Sequence, residues 1–264
     1  MFRIIVGFAC IGLSVPAVTQ SDPYFLPSDR VAVQRMDAVP PVDLAPGVRV
    51  RTVVGATGSF SIGDFDSGSA AVLHHHTREQ ADVGITGVLE MTLGTHVESL
   101  GPGAGVIVPP DVAHSIANRG AGVMTVIEFH TVRRPDLVPP RPSLTFPASP
   151  EPVAVPVGHA LVTQLDGPGS TSSAGPNTIR GQTCTLVWRK LPTGAAPTDI
   201  HPTRMRTELF VYLVRGVAEL ATSGGVQRVM AGTLIVIPSG ERHVSLQGVG
   251  GIDVALVEFS PERR

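Results

Sequence analysis

Lysine is almost missing from this chain of 264 residues: Lys190 is the only one. Schiff-base chemistry and phosphate cradles built on a lysine are thereby nearly excluded. Cysteine is equally scarce, with Cys10 in an N-terminal apolar run and Cys184 alone, so neither a disulfide framework nor a cysteine metal cluster can be built. Charged residues are only 16 % and carry a net charge of −2, with no basic run; a nucleic-acid partner would leave a basic stripe. Aromatic residues are few, at 5 %.

Gly and Pro are abundant instead, at 29 and 24 residues, and both break or punctuate helices. The apolar fraction of 42 % is too high for a disordered chain. Short strands separated by many turns are the expected result, hence an all-β protein.

The first residues read as a targeting segment. Arg3 gives a minimal positive start, Ile4 to Leu13 is uncharged and apolar, and Ser14-Val15-Pro16-Ala17 offers a break and a small residue. That is the pattern of a signal peptide over residues 1–19, too short to span a bilayer. The expectation is a periplasmic or secreted protein with no membrane association after cleavage.

The two halves of the chain repeat. Glu79, Gly87, Gly103, Pro109 and His114 recur as Glu208, Gly216, Gly232, Pro238 and His243, each 129 residues later. A constant offset over so many landmarks marks a duplicated unit. Strand-like runs at 59–65, 83–93, 105–109 and 123–130 have counterparts at 183–189, 209–221, 233–238 and 252–259. Between the units, Arg133–Val157 holds eight prolines in 25 residues, a composition for extended chain rather than helix or central strand. The division expected is a first barrel at 20–132, a Pro- and Gly-rich linker at 133–180 and a second barrel at 181–264.

Five of the nine histidines fall at telling places inside these units. In His74-His75-His76 the outer two share one face of an extended chain. Gln80 follows four residues after His76, and His114 comes just past the turn at Pro109-Pro110-Asp111. Two imidazoles from one strand, one from a facing strand and an amide oxygen would hold a divalent transition metal and leave positions open.

The spacing resembles the cupin superfamily. Gly68, five residues, His74-x-His76, three residues, Gln80, six residues, Gly87 is similar to its first motif. Gly103, five residues, Pro109-x-Asp111, two residues, His114, three residues, Asn118 is similar to its second. The departures are Gln80 where Glu is commoner and Asp111 where Gly is commoner. The resemblance implies two tandem antiparallel jelly-roll barrels joined by the Pro-rich linker, a bicupin. It implies metal ligands at His74, His76, Gln80 and His114, and one ion of Fe, Ni, Mn or Zn. It also implies a small-molecule substrate; association into a homo-oligomer stays open.

Glu79 rivals Gln80 as the fourth ligand and is the one candidate general base. Its recurrence as Glu208, in a unit that has lost most of its ligands, points to a structural role. In that unit Thr203, Met205 and Leu209 fall where His74, His76 and Gln80 stand, and only His243 is kept. A degenerate second site from His201, Glu208 and His243 would need a shifted register. His96, His130 and His159 read as surface or internally satisfied histidines, Arg133 and Arg134 as solvated at the linker edge, Trp188 as core or rim, and Asn118 as a loop tie.

An all-neutral donor set leaves a divalent ion its full charge and favours anionic, oxygen-donor substrates such as enolates, keto acids or uronates. The function expected is a metal-dependent enzyme of dioxygenase or of isomerase/lyase type. The alternative is a non-catalytic module binding a small molecule or carbohydrate.

Overall fold

The computed structural model describes residues 22–139, 161–164, 177–200 and 207–262, with 161–164 as backbone. The expected signal segment, most of the expected linker, His159 and His201 lie outside the described residues. Among the described residues, twenty strands run in chain order. The first ten are β1 (Ala32–Arg35), β2 (Val42–Ala45), β3 (Val48–Val54), β4 (Ser59–Phe65), β5 (Gln80–Thr86), β6 (Leu89–Leu93), β7 (His96–Leu100), β8 (Ala104–Val108), β9 (His114–Asn118) and β10 (Met124–His130). The rest are β11 (Leu161–Gln164), β12 (Asn177–Arg180), β13 (Cys184–Leu191), β14 (Thr198–Asp199), β15 (Leu209–Arg215), β16 (Val217–Thr222), β17 (Gly225–Met230), β18 (Thr233–Ile237), β19 (Ser245–Val249) and β20 (Val254–Pro261).

The repeat is visible in how the strands break. The runs at 83–93 and 209–221 each divide at a glycine, Gly87 and Gly216, with φ of 76° and 89°. Only glycine adopts that left-handed backbone without strain, so each run folds into two strands belonging to different sheets.

Each barrel pairs a large sheet with a small one. The first has the order β11-β8-β5-β10-β4-β3-β2 facing β7-β6-β9; the second has β1-β18-β15-β20-β13-β12 facing β14-β19-β16-β17. All pairings within these sheets are antiparallel. The orders also record an exchange. β1, within the 20–132 span expected for the first barrel, pairs instead with β18 of the second, while β11, inside the Pro-rich linker, pairs with β8 of the first. The linker therefore contributes a strand to the sheet it leaves.

The large sheets are buried on both faces, so their strands read as nearly continuous apolar runs. Along β15, Leu209, Val211 and Leu213 fill the second barrel, while Phe210 and Tyr212 join a core shared with the first. The same alternation along β10 sends Met124 and Val126 into the first barrel and Ile127 and Phe129 into the shared core. At its centre Phe129 stacks on Phe259 with centroids 4.8 Å apart and meets Phe60 at 5.0 Å. No helix of the described residues is long and apolar enough to cross a membrane.

Candidate metal centre

His74 and His76 lie on an extended segment that runs antiparallel to β9 without forming a full strand. Isolated bridges join Ala70 to Ala117 and His74 to His114. His74 N donates to His114 O at 3.0 Å and His114 N to His74 O at 2.7 Å, so the backbone itself sets the two rings side by side. The Asp111 turn then ties His76, its amide donating to His76 O at 2.6 Å. Asp111 has φ of 62° and is the one non-glycine with positive φ among the described residues, which explains why glycine suits this position.

The outcome is a cluster in which ring nitrogens of His74, His76 and His114 lie within 4.8 Å of one another. His74 Nδ1 contacts Val72 O at 2.7 Å and His114 Nδ1 contacts Val112 O at 2.8 Å. A carbonyl can only accept, so each Nδ1 carries the proton and each Nε2 presents a lone pair. His74 Nε2 and His76 Nε2 stand 3.1 Å apart. Two donors at right angles, each about 2.1 Å from one ion, would be about 3 Å apart.

Gln80 opens β5, is 2 % exposed, and gives its Nε2 hydrogen to Asp82 Oδ1 at 2.8 Å. That bond orients the amide and leaves Oε1 buried without a partner, as is His114 Nε2. Buried polar atoms without partners are uncommon and call for an unseen water or ion. Three imidazole nitrogens and an amide oxygen fit a divalent transition metal.

The rings are kept neutral, as ligation requires. Burial pushes His76 down to about 2, helped by the positive Arg134, and pushes His114 down to about 3, helped by His74. His74 is lowered by burial as well.

Two residues read as bland in the sequence belong to this cavity. His130 is 3 % exposed, lies with its ring centroid 5.5 Å from that of His76, and has no partner for its Nε2; Glu128 Oε2 is 3.8 Å away. The period-two pattern of β10 held the signal, since Glu128 and His130 are in phase with Met124 and Val126. Arg134 is folded back rather than solvated. Its side chain is 14 % exposed, held by Asp136 at 2.8 Å, and lines the cavity with Leu137. Burial drives the Glu128 carboxyl up to about 7 despite Arg134, and raises Asp82 well above the carboxylate range, with Glu128 adding to it.

Glu79 is not available as a general base. Strand alternation turns it away from Gln80, and its carboxylate accepts from Gln182 N at 2.7 Å and Thr183 Oγ1 at 2.7 Å on the second barrel. Among the described residues, Glu208 and His243 of the second constellation are not brought together either. Glu208 is 3 % exposed and bound to amides of the first barrel, Thr57 N at 2.7 Å among them. His243 is exposed beside Arg242 on an open surface hollow, and His201 lies outside the described residues. Leu209 and Val211 replace Gln80 and Asp82, and Arg189 pairs with Glu258 at 2.6 Å. Asn118 does tie its loop, donating to Phe65 O and Gly122 O and accepting from Gly120 N.

A family model described as the cupin domain matches residues 62–130. No curated protein sequence matches the chain. Among solved structures, protein Ylba from E. coli is similar at a TM-score of 0.66 and 10 % identity, covering 92 % of this chain and 96 % of that one. AerE from Microcystis aeruginosa is similar at 0.62 and 15 %, covering 85 % and 97 %. The oxalate decarboxylase of Bacillus subtilis, a protein with Mn(II) centres, is similar at 0.64 and 15 %, covering 90 % and 78 %. With the repeat and the paired barrels, the chain shares the fold of these structures, and residues 62–130 match the cupin domain.

Proposed function

We propose that the first barrel is a divalent-metal centre that binds and transforms a small anionic oxygen-donor substrate. One observation carries the reading: ring nitrogens of His74, His76 and His114 and the unpartnered Gln80 Oε1 belong to one cavity. A divalent ion held there would supply Lewis acidity and open positions for substrate oxygens. The chain's own groups select the substrate. The four donors are neutral and Arg134 adds a positive charge, so the site favours an anion. The cavity of about 30 Å³ has room for roughly two water-sized groups, which suits a carboxylate or enolate better than a flavonol.

Glu128 lines the same cavity, and its raised carboxyl holds a proton near neutrality at a place where substrate can meet it. A Lewis-acid centre beside a protonatable carboxyl supports lyase or isomerase chemistry on a small oxyacid. A fold neighbour that acts on oxalate with Mn(II) is compatible with that class. Residues 1–19 would direct the chain to the periplasm or outside.

The test begins with elemental analysis of the purified protein and titration with Mn²⁺, Fe²⁺, Ni²⁺ and Zn²⁺. One ion per chain, lost in His76→Ala and in His114→Ala, is expected. Turnover is then screened on small dicarboxylates, keto acids and uronates, with dioxygen uptake followed in parallel. Wild-type protein that takes up no ion, or variants that bind as it does, would refute the metal centre. Dioxygen consumption with substrate would replace the lyase or isomerase reading by a dioxygenase one, and ion binding without turnover would leave a binding module.

A further inference from the structure

Two carboxylates cross between the barrels in opposite directions. Glu79, on the first barrel, is 3 % exposed and accepts from Gln182 N at 2.7 Å, Thr183 N at 2.5 Å and Thr183 Oγ1 at 2.7 Å. Glu208, on the second, is 3 % exposed and accepts from Ala56 N at 2.9 Å, Thr57 N at 2.7 Å, Gly58 N at 2.9 Å and Thr57 Oγ1 at 3.1 Å. The receiving turns correspond: Gly55-Ala56-Thr57 leads into β4 as Gly181-Gln182-Thr183 leads into β13. A Cβ added at Gly55 would collide with Glu208 Oε1, and one at Gly181 would lie 2.7 Å from Glu79 Oε1. Both turns are therefore shaped around a charged oxygen, and charge-assisted bonds of this kind are the strong ones.

The latches are chemically alike but have different neighbours. Glu208 precedes Leu209, an apolar residue filling the second barrel. Glu79 precedes Gln80, whose amide faces the metal cavity. The Glu79 carbonyl also accepts from Thr131 Oγ1 at 3.0 Å, one residue past His130. A planar peptide joins the clamped residue to the donor, so where Glu79 is held decides where the Gln80 Cα starts. Asp82 then fixes the far end of the Gln80 side chain.

We propose that Glu79 is a positioning residue: gripped by the Gln182–Thr183 turn of the second barrel, it places Gln80 Oε1 in the metal centre of the first. The inference rests on the metal reading above and goes beyond it. The second barrel, with no assembled ligand set among its described residues, becomes part of the first barrel's site. Partners that orient a metal ligand from behind typically change affinity 10- to 100-fold.

Glu208 provides the control, because it makes the same kind of latch with no donor beside it. Glu79→Ala and Glu208→Ala are compared for thermal midpoint, Mn²⁺ affinity and the EPR spectrum of bound Mn²⁺. Both are expected to lower the midpoint. Glu79→Ala is expected to weaken Mn²⁺ binding 10- to 100-fold and alter the spectrum, with partial recovery in Glu79→Gln. Glu208→Ala is expected to keep Mn²⁺ affinity within about twofold of wild type, since it touches no donor. Equal effects of the two alanine variants on affinity, or none from Glu79→Ala, would overturn the proposal. A metal-free measurement separates this from failure of the metal reading. The side-chain amide signal of Gln80, identified by its loss in Gln80→Ala, is expected to shift in NMR spectra of Glu79→Gln and Thr183→Ser and to stay in place in Glu208→Gln. If it stays in place in all three, the positioning role is refuted even in a protein that binds metal; if it shifts as expected, the role stands even where Mn²⁺ does not bind.

Discussion

Phe129→Ala tests whether the barrels are one cooperative unit. Phe129 is fully buried where the large sheets meet, touching the rings of Phe60 at 5.0 Å and Phe259 at 4.8 Å, with Phe210 at 6.4 Å. Removing a buried phenylalanine costs about 3–5 kcal/mol. With a urea slope of about 3 kcal/mol per molar for a chain of this size, the midpoint should fall by about 1–1.7 M. Trp188, the single tryptophan, lies in the second barrel's part of the shared core and reports that half by fluorescence, while circular dichroism reports both. Strand exchange and the shared core predict that the two signals shift together. Met91→Ala sharpens the test, because Met91 is buried wholly inside the first barrel and does not belong to the shared core. Its loss, about 2–5 kcal/mol, should still move the Trp188 transition. A Met91→Ala protein in which the dichroism transition splits and Trp188 unfolds at the wild-type midpoint would refute the reasoning.

Acid should destabilise the metal-free protein between pH 6.5 and about 3. His74, His76, His114 and His130 stay neutral in the fold, while the unfolded chain takes up protons below about 6.5, so stability falls with pH through that window. The fully buried His114 and His130 each contribute up to about 1.4 kcal/mol per pH unit within it. Glu128, raised to about 7, opposes this by losing stability as pH rises from 4.5 toward 7, and Asp82 acts in the same sense; the four rings outnumber the two carboxyls. Urea midpoints at pH 7, 6 and 5 that stay level would contradict the buried neutral rings. Arg134→Leu should weaken binding of a small carboxylate at least tenfold, about 1.4 kcal/mol, with metal content unchanged; calorimetry on the metal-loaded protein decides. Asp111→Val should cost about 1–2 kcal/mol by forcing a β-branched residue to φ of 62°, whereas Asp111→Gly should be close to neutral, as read from thermal midpoints.

Much of the site was legible because its geometry is local. His74, His76 and Gln80 follow from strand alternation, and the 129-residue repeat brought His114 into register with the landmarks around it. Glu128 and His130 shared that legibility, but a histidine in a strand says little until the opposite face of the sheet is known. Arg134 was hidden by its setting in a proline-rich stretch, which favours extended chain; Asp136, two residues on, turns the guanidinium back to the cavity.

The duplication, the all-β class and the unequal fate of the two ligand sets were determined by the sequence alone, because turn glycines, strand periods and ligand spacing are properties of short segments. The exchange of β1 and β11 between barrels was decided only by the tertiary structure. So were the burial of both faces of the large sheets and the commitment of Glu79 and Glu208 to the opposite barrel. Those depend on contacts between residues far apart in the chain, such as Leu161 with Ile107, Arg35 with Thr233 and Glu208 with Thr57. No local pattern encodes such a partner, since a buried carboxylate beside a strand looks the same in sequence whether it meets a substrate or another barrel.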